Sequence, residues 1–305
     1  MSTVVVLLSD KRSGSTMFQR ELCRHPDIRH VQYTPHANHE THHWLKGAVM
    51  TGMPAQTFAD GKVYQGYGPP RNAHAYLIDC VRGNVPDYQP TGTDKELVFD
   101  AFEALCDAYA RPVFFEKSPQ HLSNWGSLML LLEWSQCTAR TVRFIGLTRN
   151  PMAVMHSALA KFHTPPESRQ YFWMHSQKNL LAFEQLVPAD SFLHCRYEDI
   201  IEAPASALRE VTEFIGLPAN DTVGSGANAS SLEKWRGDTS YRFVLDDAVA
   251  QLAAGFGYDH LDLDNPHADP GARTDISVTQ KLKLGRQALK NRLLKPMGLH
   301  WKQRR

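Results

Sequence analysis

Four short apolar runs, residues 4–8, "PVFFEKS" (112–118), "TVRFIGLTR" (141–149) and "SFLHCRY" (191–197), each precede a stretch of helical spacing. That alternation constrains the fold more than any other feature of the 305 residues. Strands separated by helices pair in parallel, and a parallel sheet needs helices on both faces. The expected class is therefore α/β, an open parallel sheet flanked by helices, with ligands beyond the carboxyl ends of the strands. A helix is expected over 16–24, closed by His25-Pro26, then a short strand over 28–32 and a helix over 95–110. "SNWGSLMLLLEWSQC", "NPMAVMHSALAKF", "RQYFWMHSQKNLLAFEQLV" and "APASALREVTEFIG" supply further helices, the last stopped by Gly216 and Pro218.

Residues 34–95 break the pattern. They are rich in Gly, Pro, His and Tyr, and are expected as short helices and loops laid over the scaffold rather than as core. An insert of this length usually has a binding role, and Trp44, Tyr64, Tyr67 and Tyr76 within it either stack on an acceptor or form a local mini-core. The expected organisation is one domain over 1–265 carrying this insert, followed by a basic tail over 266–305. Residues 273–305 hold ten Lys/Arg against Asp275 alone, while the rest of the chain holds 23 basic and 31 acidic residues. Leu282, Leu289, Leu293 and Leu294 give the tail the spacing of an amphipathic helix. Such a helix either packs on the domain with a solvated basic face or makes peripheral contact with an anionic membrane surface.

Totals exclude several classes. A net charge of +1 gives no footprint for nucleic acid, and 42% hydrophobic residues argue against disorder. Five scattered cysteines, none in a CxxC pair, fit a reducing cytoplasm better than a disulfide framework or thiolate zinc site. No stretch approaches the ~18 apolar residues of a membrane span.

The loop between the first strand and helix reads Arg12-Ser13-Gly14-Ser15-Thr16. A strand delivering such a loop to a helix N-terminus builds an anion site from backbone N–H groups, hydroxyls and the helix dipole. It departs from the Walker pattern, which needs glycine at Ser9 and lysine at Ser15. A second anion site is expected where Arg149 ends a buried strand and Ser157 lies two turns along the next helix, whose first turn suits Pro151.

In these two segments the chain resembles the sulfotransferases that use 3′-phosphoadenosine-5′-phosphosulfate (PAPS). "RSGST" resembles their 5′-phosphosulfate loop and "RNPMAVMHS" their 3′-phosphate motif. "CRYEDI" is similar to the segment whose tyrosine lies near adenine, here Tyr197. "SSLEKWRG" is similar to the stretch of tyrosylprotein-type members that closes over the cofactor, pointing to Lys234 and Trp235. "FEKSP" is similar to the segment of carbohydrate and heparan-type members whose lysine faces the sulfuryl group, here Lys117. The resemblance implies a P-loop-NTPase-like sulfotransferase fold and PAPS as co-substrate, with no metal required. It also implies that Ser13, Gly14, Ser15 and Thr16 hold the 5′-phosphate, that Arg149 and Ser157 hold the 3′-phosphate, and that Arg12 and Lys117 neutralise the leaving group.

Many relatives carry a glutamate as base just beyond the His-Pro; this chain has Gln32 and Thr34 there. His36 is the first candidate, with Glu116, Glu40 and His121 as alternatives. A carbohydrate or glycolipid hydroxyl is the first expectation for the acceptor, a small alcohol or phenol the second and a peptide tyrosine the third. Two rival classes remain at this point. One is a small-molecule kinase or non-catalytic nucleotide-binding module. The other is a zinc protease, because residues 39–43, His-Glu-Thr-His-His, formally satisfy HExxH.

Overall fold

In a computed structural model, residues 2–53, 69–226 and 232–271 are described. The basic tail helix, Tyr64 and Tyr67 lie outside them. Five strands form one sheet: β1 (Thr3–Ser9), β2 (Ile28–Arg29), β3 (Val113–Lys117), β4 (Thr141–Thr148) and β5 (Phe192–Arg196). Their order is β2-β3-β1-β4-β5, and every pairing is parallel. The chain leaves β1 toward one edge through β2 and β3, then returns to its other side with β4. The strand order therefore reverses beside β1, and the loops after β1, β3 and β4 meet at one carboxyl edge, where open α/β sheets bind ligands.

β1 is apolar throughout because both of its faces are covered. Val4, Val6 and Leu8 join one core cluster and Val5 and Leu7 another, as the period of two along a strand requires. The second cluster takes Phe18 and Leu22 from α1 (Ser15–Leu22), with residues of α8 (Tyr197–Glu202) and α9 (Pro204–Phe214). The first cluster is built largely by α4 (Asp94–Tyr109) and α5 (Trp125–Cys137), with Phe102 and Trp134 edge to face at 4.7 Å.

In the described part of residues 34–95 the helices are short, as expected, but they enter the core instead of lying over it. α2 (His43–Met50) and α3 (Pro70–Arg82) bring Trp44, Ala48, Leu77 and Val81 into that same core. Trp44 is fully buried, 4.7 Å from the Phe102 ring, and Tyr76 is only 3% exposed. Neither offers a face for an acceptor. The hydropathy pattern hid this because α2 buries His43 and Lys46 with their polar ends satisfied. His43 Nε2 donates to the Val98 carbonyl at 2.8 Å, and the Lys46 ammonium lies 5.3 Å from the centre of the Tyr76 ring.

A third cluster joins α6 (Pro151–Phe162) and Trp173 of α7 (Pro166–Glu184) to Trp235, Tyr241, Phe243 and α10 (Asp247–Ala254). No helix among the described residues is long and apolar enough to cross a membrane.

Candidate active site

Residues 10–14 turn from β1 into α1 with two left-handed residues, Arg12 (φ 74°) and Gly14 (φ 91°). Gly14 is required twice over. A Cβ there would sit 2.2 Å from Cδ2 and Cε2 of Tyr197, and an L side chain strains at this φ. Gly14→Ala should lower the melting temperature by several degrees, following a cost of about 1–3 kcal/mol. Thermal unfolding followed by circular dichroism checks this.

The loop is held from below by Asp10. Its Oδ1 accepts the Lys11 amide at 2.7 Å, while Oδ2 pairs at 2.5 Å with Nη2 of Arg169, which also donates to the Lys11 carbonyl at 2.8 Å. The Oγ of Ser13 is buried with no hydrogen-bond partner, an orphaned donor in a loop of donors.

β4 ends in Arg149, and α6 begins beside it. Asn150 caps that helix by accepting from the Met152 and Ala153 amides at 2.9 and 3.4 Å, with Pro151 in the first turn. The cap fixes Ser157 toward the loop. Arg12 Nε and Nη2 donate to Ser157 Oγ at 3.0 and 2.9 Å, and Arg149 Nη1 donates to the Arg12 carbonyl at 3.0 Å. The Arg149 guanidinium lies 4.3 Å from the centre of the Tyr197 ring, which also packs against Gly14. Burial, then repulsion from Arg149 and Arg169, lowers the Arg12 pKa. Among the described residues no carboxylate pairs with Arg12. Clustered guanidinium groups of this kind attract an anion.

Across the loop, Lys117 ends β3 with its side chain fully buried. Its ammonium donates to the Asn38 carbonyl at 3.1 Å, to Glu40 Oε1 at 3.4 Å and to Thr16 Oγ1 at 3.5 Å. Burial lowers the Lys117 pKa, opposed by Glu40. Burial also pushes Glu40 upward, but hydrogen bonds from His36 and His42 and the charge of Lys117 outweigh it, so Glu40 stays ionised. Arg12 and Lys117 thus touch opposite sides of the loop, Ser157 and Thr16 respectively, and are not in contact with the same group.

A model described as "Sulfotransferase family" matches residues 5–221. The chain belongs to the sulfotransferase family. Among solved structures, the sulfotransferase domain from the Synechococcus PCC 7002 olefin synthase is 21% identical with a TM-score of 0.55, over 84% of this chain and 95% of that one. The sulfotransferase domain from the curacin biosynthetic pathway is 17% identical with a TM-score of 0.51, over 85% and 99%. At these identities both show the shared fold. No curated protein sequence matches.

Several residues stand differently in this sulfotransferase than the sequence suggested. Glu116 and His121 are less accessible as bases than His36, because both are buried and each is engaged through one atom, Oε1 of Glu116 and Nε2 of His121. Glu116 Oε1 accepts from Thr41 and Ser118, each at 2.6 Å, and Ser118 Oγ in turn accepts the His42 amide at 3.0 Å. His121 Nε2 accepts the Trp44 amide at 3.2 Å, leaving its protonated Nδ1 toward Glu116 Oε2 at 3.6 Å. These groups fix the chain over 40–44 on top of β3. Glu40, only 6% exposed and bound by three partners, is a poor proton acceptor. Trp235 is buried in the third cluster with Met152 and Tyr241, whereas Lys234 is exposed.

The protease reading fails on geometry. HExxH needs both histidines on one helical face, but His39 and His42 are left-handed and α2 begins only at His43, which points at Val98. His36 is exposed beside Glu40, the only one of the four base candidates open to solvent. Arg169 was missed: it lies far along the chain from the loop it anchors, and Asp10, an acid just before a basic loop, was its only trace in the sequence.

Proposed function

We propose that this sulfotransferase moves the sulfuryl group of PAPS to an acceptor hydroxyl. The observation that carries the reading is the junction of two anion-binding segments, where Arg12 bonds Ser157 and Arg149 bonds the backbone of Arg12. The loop amides with Ser13, Ser15 and Thr16 would hold the 5′-phosphate; the orphaned Ser13 Oγ fits such an anion. Arg149 and Ser157 would hold the 3′-phosphate, which ATP lacks, with Tyr197 on the adenine side and Lys234 at the rim.

Bound there, PAPS supplies the sulfuryl group and a bisphosphate leaving group. Sulfuryl transfer needs positive charge where the leaving oxygen becomes negative, as in phosphoryl transfer. Lys117, buried and beside Thr16, is placed to hold it, with Arg12 contributing from the other side of the loop. This arginine and lysine set supplies the charge without requiring a metal. His36 serves as base through Nε2, since its Nδ1 faces two acceptors, Glu40 Oε2 at 3.3 Å and the Ala37 carbonyl at 3.1 Å, and therefore carries the hydrogen.

Trp44 and Tyr76 lie in the core and cannot stack on a sugar. Phe162 is half exposed, its ring 5.6 Å from the Arg12 guanidinium, and favours an acceptor with an apolar part, a small alcohol or phenol. We place the enzyme in the cytoplasm, where its five free cysteines stay reduced.

Calorimetric titration with adenosine 3′,5′-bisphosphate, ADP and ATP, run once in EDTA and once with magnesium, tests the donor. Tight binding of the bisphosphate alone is expected. A preference for ATP with magnesium would overturn the proposal and favour a kinase.

A further inference from the structure

The histidine-rich segment over 36–43 is not a protease motif, yet three of its side chains converge. His36 Nδ1 and His42 Nε2 each lie 3.3 Å from the same oxygen, Oε2 of Glu40. All three candidate donor atoms fall within 4.8 Å of one another. Zinc bonds of about 2.0–2.2 Å to nitrogen and oxygen imply donor separations of roughly 3.3–3.5 Å at a tetrahedral centre. Two of the three edges already have that length, and the His36–His42 edge is no longer than 4.8 Å.

We propose that His36, Glu40 and His42 form a three-ligand site for a zinc-class divalent cation. The set is two imidazoles and one carboxylate, of which His36 is exposed, so that a cation reaches the set from that residue's side. Supporting contacts of the kind that orient metal ligands are present. The Tyr76 ring stacks on His42 at 5.9 Å and 8°, and its hydroxyl donates to the Glu40 carbonyl at 3.2 Å. The second oxygen of Glu40 is held by Lys117. The ligands come from one short turn because Asn38, His39 and His42 are all left-handed and fold the chain back on itself.

Lys117 and Lys46 stand on the protein side of this site, and their charge keeps a cation from being held permanently. The site therefore suits reversible occupancy. Its consequence follows from tautomers. A neutral imidazole has one lone pair, so a metal on Nδ1 of His36 sends the hydrogen to Nε2, the atom read above as the base. Zinc would then block proton removal from the acceptor while leaving the nucleotide loop intact. The site rests on geometry alone; this inhibition rests also on the proposed role of His36.

The test is titration of the full-length, chelator-treated protein with zinc by calorimetry and with cobalt by visible absorption, which reports four-coordinate geometry. One equivalent should bind. His36→Ala and His42→Ala should each weaken binding at least about 10-fold, whereas His39→Ala, which removes the first histidine of HExxH, should not. Thermal unfolding of each variant separates a lost ligand from a lost fold, and His36, being exposed, is the safer of the two. Binding unchanged in both His36→Ala and His42→Ala would overturn the site. Bisphosphate affinity should be the same with and without zinc. Zinc that binds one equivalent but leaves sulfuryl transfer at its original rate would keep the site and remove His36 from the base's position.

Discussion

Lys117→Ala should lower sulfuryl-transfer turnover by about 10²–10³-fold while leaving adenosine 3′,5′-bisphosphate affinity within a few-fold of the parent. Removing one preorganised donor at a site of developing charge costs about 3–4 kcal/mol in the transition state, and Lys117 is fully shielded from water, where such a charge acts most strongly. The ground state loses less, because Lys117 meets the loop only at Thr16 Oγ1, at 3.5 Å. Glu40 keeps hydrogen bonds from His36 and His42, so the variant should still fold. Single-turnover kinetics beside calorimetry makes the separation. Turnover unchanged in a folded Lys117→Ala protein would move the leaving-group charge to Arg12 alone.

Arg149→Ala should have the opposite signature, a loss of binding. Charge-assisted hydrogen bonds contribute about 1.5–3 kcal/mol each, so losing a guanidinium from a phosphate should weaken the bisphosphate by about 100-fold or more. ADP, without a 3′-phosphate, should lose much less. Arg149→Lys should recover part of the affinity, since it keeps the charge but not the planar fork that lies over Tyr197 and reaches the Arg12 carbonyl. Equal losses for both nucleotides would place the 3′-phosphate elsewhere.

The parts of this architecture that the sequence disclosed are local. β1 and the "RSGST" loop are contiguous, so hydropathy and spacing are enough to find them. "RNPMAVMHS" was readable because the cap at Asn150 and the two-turn offset to Ser157 are properties of a single helix. What stayed hidden depends on distant partners. Trp44 read equally as a stacking residue or as part of a mini-core, because its neighbours His43 and Lys46 are polar and only Val98 and Tyr76 explain how those can be buried. Glu116 and His121 read as proton acceptors because sequence does not show burial. Arg169 acts through Asp10, two residues joined only by the packing of α7 on the loop. The turn that gathers His36, Glu40 and His42 needs three left-handed residues that are not glycine, which composition does not announce.

β3 pairs with β1 so that Val6 faces Glu116 and Leu7 faces Lys117. Two consecutive side chains on opposite faces thus carry two separate jobs, one tethering the chain over 40–44 and the other supplying charge beside the loop. A strand of this kind tolerates substitution better than slippage. Removing one residue between Val113 and Glu116 would exchange the two faces, aiming a carboxylate at the loop beside Thr16 and an ammonium into the buried hydroxyl network. Evolution can therefore retune either job letter by letter, but insertions and deletions have to be confined to the connections on either side.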